Sequence, residues 1–179
     1  RIGGRDIRAL SEPDLRRAVV VVSQQSHLFS ATVRENLLPA KSDADDAELR
    51  SALAAARLAD FVDRLPDGLS TWVGEAGKLI SAGQARRLTV AQAILRGAPV
   101  WVLDEPTEGL DRITEAALVE SLLEVTADRT VLWITHRLAG MDRMDGVVVM
   151  ENGRVADRGT HAELLARHRR YAGWYARML

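Results

Sequence analysis

Three short apolar runs, each closed by polar residues and each separated from the next by a stretch with helical spacing, most constrain this chain. They are Ala18 to Ser23, Val100 to Leu103 and Thr130 to Ile134. Val-rich runs this short suit strands buried within a parallel sheet, and parallel neighbours need a crossover that is usually a helix. The intervening sequence supplies the helices. Ser42 is the expected cap of the first, with Asp43, Asp45 and Asp46 in its opening turn and Leu49, Leu53 and Ala56 on one face. Pro66-Asp67-Gly68 breaks that run. Ser81 to Arg96 reads as the next helix, with Leu88, Ala91 and Leu95 in phase and Gly97 and Pro99 as its stop. A third, from about Thr114 to Thr126, carries Leu118, Leu122 and Val125. The expected class is α/β with a mostly parallel sheet.

Beyond the third run, Gly146 to Met150 and Arg154 to Arg158 flank Glu151-Asn152-Gly153, a strong hairpin signal. Thr160-His161-Ala162-Glu163 then has capping-box spacing ahead of what reads as one long Arg/Tyr/Trp-rich helix. Its Arg167-His168-Arg169-Arg170 cluster reads as a solvated face, and Tyr171, Trp174 and Tyr175 as packing residues. Hydrophobic residues make up 47% of the 179, against 27% charged, which is enough for a core. The 24 Lys and Arg nearly balance 25 Asp and Glu, a net charge of −1 that gives no electrostatic footprint for nucleic acid. No apolar run approaches the roughly 18 residues that spanning a bilayer requires. There are no cysteines, hence no disulfides and no thiolate chemistry. No signal peptide is apparent, so cytoplasmic exposure is expected. The chain opens on Arg1-Ile2-Gly3-Gly4 rather than Met, which suggests a piece of a longer polypeptide.

Ligands of parallel α/β sheets gather at the carboxyl ends of the strands, so the polar residues that follow the apolar runs are the first candidates. Val100 to Leu103 ends in Asp104-Glu105, two carboxylates of which one can hold Mg²⁺ and the other polarise water. Gln24 follows the first run as a carboxamide able to ligate Mg²⁺. Thr135-His136-Arg137 follows the third, and the His can bond a phosphate oxygen through a ring nitrogen. Ser81-Ala82-Gly83-Gln84 is a capping box worth about 1 kcal/mol. Its exposed N–H groups and small residues equally suit an anion site, and spacing alone leaves both readings open.

Read in order, Val22-Ser23-Gln24, Val73-Gly74-Glu75, Ile80-Ser81-Ala82-Gly83-Gln84, Leu103-Asp104-Glu105-Pro106-Thr107, Gly109-Leu110-Asp111 and Ile134-Thr135-His136 resemble the successive motifs of an ABC-type nucleotide-binding domain. They match its Q-loop, exporter X-loop, signature, Walker B, D-loop and switch histidine. The resemblance covers essentially the whole chain. It implies a P-loop NTPase-like fold with a helical signature subdomain over approximately residues 35–97, and a domain lacking its N-terminal part. Leu28-Phe29-Ser30-Ala31-Thr32-Val33-Arg34-Glu35-Asn36 and Thr71-Trp72-Val73-Gly74-Glu75 resemble exporter domains fused to membrane helices. Within the exporters, Asp104 to Asp111, His136 to Gly140 and Gly159 to Leu165 are most similar to CydC-like subunits of heterodimeric thiol exporters, which are associated with glutathione and cysteine export and cytochrome bd assembly. Lipid and drug exporters are near neighbours. The absence of a coiled-coil insertion between Gln24 and Ser81 sets DNA-repair ATPases apart.

The resemblance also implies a set of roles. Asp104 and Gln24 hold Mg²⁺, Glu105 activates the attacking water and His136 contacts the γ-phosphate of ATP. Ser81, Gly83 and Gln84 act on the nucleotide of a second such domain, arranged head to tail in an expected heterodimer, and Asp111 bridges the two. A membrane-spanning domain of the same polypeptide places this one at the cytoplasmic face of the bacterial inner membrane. Two departures from the family pattern bear on function. No G-x-x-x-x-G-K-[ST] run exists: Lys occurs only at Lys41 and Lys78, and Gly77-Lys78 is followed by Leu79. The chain alone is therefore expected to bind ATP poorly, with truncation as the expected cause. Ala82 stands where the family has Gly, and its Cβ would crowd a phosphate presented by the partner. A non-catalytic interaction module is the alternative reading.

Overall fold

The computed structural model describes residues 1–25, 27–77 and 79–177; Ser26 and Lys78, and with Lys78 the Gly77-Lys78 pair, lie outside the described residues. The chain divides into two compact units, Arg1–Ile134 and Thr135–Leu179.

The first unit is built on three parallel strands in the order β1 (Val19–Val22), β2 (Val100–Asp104), β3 (Thr130–Ile134). A short helix, α1 (Glu12–Ala18), leads into β1. Between β1 and β2 the chain forms α2 (Val33–Leu37), α3 (Asp46–Ala55), α4 (Ala59–Asp63) and α5 (Ala82–Arg96), and α6 (Arg112–Val125) joins β2 to β3. Local rules account for most of these boundaries. α5 starts at a complete capping box, Ser81 with Gln84, and stops at Gly97 in the left-handed conformation. α3 starts later than expected: its cap is Asp45, not Ser42. Three residues after Ser42 stands Asp45, too short to reach back to the cap amide, whereas Glu48 three residues after Asp45 does reach it.

The strands also depart from the expectation of burial on both faces. In register, Val20 lies opposite Trp101 and Trp101 opposite Val131, and this row packs into the core with Val22, Leu103, Leu88, Ala91, Leu118 and Leu122. The alternate row, Val21, Val102 and Leu132, turns the other way: Val21 is 57% exposed and Leu132 56%. The apolar runs are thus continuous in sequence but covered on one side only. Trp101 anchors the covered side, fully buried, with its indole N–H donating to the Ala98 carbonyl at 2.8 Å and the Arg129 guanidinium 5.7 Å from the ring.

The second unit holds an antiparallel hairpin, β4 (Val147–Glu151) with β5 (Arg154–Gly159), turned at Asn152-Gly153, both at positive φ. Thr160 and Glu163 cap α7 (His161–Arg167) as the spacing predicts. The long C-terminal helix does not form. At His168 the backbone leaves helical values (φ −98°, ψ 92°), and a separate α8 (Arg169–Ala176) follows, capped by the His168 ring on the Tyr171 amide. The break brings Tyr171 to His161, Oη to Nδ1 at 2.8 Å, inside a core with Leu138, Met141, Val149 and Leu164. Among the described residues no helix is long and apolar enough to cross a membrane.

Candidate active site

Because β1, β2 and β3 run the same way, their carboxyl ends share one edge of the sheet. Val22 lies opposite Leu103, and Asp104 opposite Ile134. Gln24, Asp104 and Glu105 leave from this edge together. Asp104 is the last residue of β2 and half-buried. Glu105 takes a left-handed backbone, φ +50°, which costs a non-glycine residue on the order of 1–3 kcal/mol. Bonds on both sides hold it there: its amide donates to the Ile134 carbonyl at 2.9 Å, and its carbonyl accepts from Arg86 Nη1 at 2.9 Å. Gln24 is exposed, with its Nε2 donating to Glu108 Oε2 at 3.2 Å and its carbonyl accepting from Arg86 Nη2 at 2.5 Å.

At the start of α5, Ser81 Oγ accepts from the Gln84 amide at 3.2 Å and Gln84 Oε1 accepts from the Ser81 amide at 2.7 Å. Gly83 is buried against the turn that follows β2. A Cβ there would lie 3.0 Å from Leu110 Cδ2 and 3.4 Å from the Gly109 carbonyl, so an added side chain would oblige the Leu110 tip to give by a few tenths of an ångström. Ala82, one position earlier, is exposed. Asp111 caps α6, accepting from the Ile113 and Thr114 amides, each at 3.0 Å, and from the Thr114 hydroxyl at 2.6 Å. The Thr114 hydroxyl foremost, then the amides, hold its carboxyl below the usual carboxylate range. Next to this turn, burial lowers the Arg87 guanidinium while the Asp111 charge opposes that shift. The sequence between Gln24 and the signature is tied down as well. The buried Asn36 amide bonds the Phe29 amide and the Phe29 and Thr32 carbonyls, and Thr71 to Val73 bond back to Ala31 and Val33. His136 follows β3 in the chain and is exposed in the second unit.

The ABC transporter family profile matches residues 1–108. The chain belongs to the ABC transporter family. Among solved structures it resembles a bacterial Atm1-family ABC exporter with ATP bound, at a TM-score of 0.88 and 36% identity over 97% of this chain and 30% of that one. The glutathione/L-cysteine transport system ATP-binding/permease protein CydC of Escherichia coli K12 is 47% identical over 165 residues, 92% of this chain and 28% of the relative. The ATP-dependent lipid A-core flippase of Salmonella paratyphi A is 41% identical over 170 residues, 94% of this chain and 29% of the relative. The chain thus spans less than a third of the length of these relatives. It is an ABC exporter nucleotide-binding domain, α/β in class with a parallel sheet, and exporters of different cargo are similarly near.

In this ABC domain the donors at the sheet edge suit Mg²⁺. They are hard oxygens, few in number, at strand ends where phosphates can complete the coordination. Among the described residues there is no cluster of three or more His, Asp or Glu of the kind that cages a metal alone. Arg86 and Glu108 are site residues that sequence reasoning missed. Arg86 bonds residues 62 and 19 positions away, a separation that no local spacing rule covers. Glu108 lies inside the Asp104 to Asp111 run that carried the resemblance, but nothing in its spacing marks it as the partner of Gln24.

Proposed function

We propose that this domain binds and hydrolyses MgATP to drive an exporter, and that the cargo is a thiol of the glutathione or cysteine class. The observation that carries the first part is the convergence of Gln24, Asp104 and Glu105 on one sheet edge of an exporter-family domain. In this reading Asp104 and the Gln24 amide oxygen hold Mg²⁺, which when bound neutralises charge on the phosphates. The Gln24 amide nitrogen is engaged by Glu108, which leaves the oxygen for the cation. Glu105 accepts the proton of the attacking water, and His136 donates to a γ-phosphate oxygen. Ser81, Gly83 and Gln84 present the opening turn of α5 to the nucleotide of a second, non-identical domain, and Asp111 lies at the seam. Catalysis of this kind is mostly positioning and electrostatics. A membrane-spanning domain of the same polypeptide, at the inner membrane of a bacterium, completes the transporter. The thiol reading rests on the 47% identity to CydC and yields to a lipid cargo if transport says so.

A second reading, a partner module that does not turn over ATP itself, is favoured by exposed Ala82 at the signature, where the family has Gly. One experiment separates the two. MgATP binding is measured by calorimetry for this chain and for the full-length natural polypeptide with its partner, and turnover is then measured for the latter. The ATPase reading expects binding and turnover in the full-length protein, and a kcat loss of about 10²- to 10⁴-fold in Glu105→Gln. Binding by neither protein, or turnover indifferent to Glu105→Gln, establishes the interaction module instead. Stimulation of that turnover by glutathione rather than by lipid A identifies the cargo class.

A further inference from the structure

Arg86 stands on the fifth residue of α5, and its side chain is nine-tenths buried. One guanidinium nitrogen donates to the carbonyl of Glu105 and the other to the carbonyl of Gln24, at 2.9 and 2.5 Å. The same Nη2 lies 3.9 Å from Glu108 Oε2, which also receives the Gln24 amide. A single planar cation therefore ties together the segments that follow β1 and β2. Its Nε is a buried donor without a partner among the described residues. Burying a guanidinium that is only partly satisfied is a poor way to gain stability, because the desolvation of the charge is incompletely repaid. Geometry is what the arrangement provides. Glu105 has a strained backbone, and such a conformation persists only where its surroundings over-determine it. Arg86 supplies the bond on the carbonyl side.

We infer that Arg86 is a positioning residue that fixes the aim of the Glu105 carboxylate and holds it to the same frame as Gln24, so that the base and the magnesium-ligating amide move as one. The inference rests on the proposed role of Glu105. A planar fork with fixed donor directions can hold two carbonyls at once, whereas the ammonium of a lysine acts as a point charge and holds one well. Arg86 also joins the signature helix of this domain to its own hydrolytic edge, so a displacement of α5 is felt at Glu105 without passing through nucleotide.

The test uses the full-length natural polypeptide with its partner. Arg86→Ala is expected to lower kcat about 10²-fold while KM for ATP stays within about twofold, because misplacement of a reacting group costs turnover rather than binding. Arg86→Lys is expected to recover part of the loss. Hydrogen exchange, read on the same proteins, is expected to accelerate at Gln24 and at Glu105 together, with the rest of α5 unchanged. Unchanged kcat in Arg86→Ala overturns the proposal, as does a loss carried by KM with exchange accelerated along all of α5, which is what a merely structural residue gives. Glu105→Gln run in parallel separates the two ideas. If it leaves turnover intact the role of Glu105 is what fails, and paired exchange at Gln24 and Glu105 then decides the Arg86 tie on its own.

Discussion

Asp111 serves a local purpose in this structure that its proposed place at a domain seam does not require. Three donors from the first turn of α6 converge on its carboxylate, and the resulting downward shift ties helix stability to pH. The folded value lies below the unfolded one, so the stabilisation is present above the ordinary carboxylate pKa and disappears as pH falls through the folded value. Protection of the Ile113 and Thr114 amides, measured against the intrinsic exchange rate at each pH, should therefore fall on acidification below the usual carboxylate range, and more steeply than at the centre of α6. In Asp111→Asn, which keeps an acceptor at the cap but cannot titrate, that dependence should flatten; an unchanged profile would assign it to another group. Gly83 makes the complementary point. Its value lies in the missing Cβ, which lets Leu110 and the Gly109 carbonyl close against the opening turn of α5.

At the level of elements, α5 is the piece whose ends matter most, since its first turn carries Ser81, Gly83 and Gln84, and Arg86 lies just beyond. Ser81→Ala removes the side-chain half of the capping box and should cost about 1 kcal/mol, read as a lower urea midpoint with an unchanged slope; Ser81→Thr should restore most of it. Both ends of α5 are legible in the sequence, because a capping box and a left-handed glycine are encoded within a few residues. So is the row of candidate residues at the strand ends, since a polar residue after an apolar run is also a local pattern. What escapes is set at longer range. The break at His168 contains no Gly or Pro, and what accompanies it is the buried pairing of Tyr171 with His161, ten positions away. The Arg86 tie has no sequence signature either, since its two carbonyl partners come from backbone and any residue provides a carbonyl. The choice of Asp45 over Ser42 is a local matter again, decided by the length of the side chain three residues on.

For the molecule as a whole, the one-sided sheet is the feature with the widest effect. Parallel sheets are ordinarily covered on both faces. In the 179-residue chain Val21, Leu132 and Ile134, from two rows of this face, are about half exposed, so an apolar dye should bind there and fluoresce. Val21→Thr combined with Leu132→Thr should weaken that signal without loss of helical circular dichroism, and a signal that persists would locate the dye elsewhere. The sheet has a second property, one of timing. Val19 pairs with Val100, about 80 positions later, and the regular elements described between them are all helices. Helical turns close quickly on their own, whereas among the described residues β1 pairs with β2 alone. During synthesis at about 5–20 residues per second, several seconds therefore separate β1 from β2, and their ladder forms only after the sequence of α2 to α5 has been made. A ribosome that pauses before Val100 holds a nascent chain in which α2 to α5 can close and the β1–β2 ladder cannot.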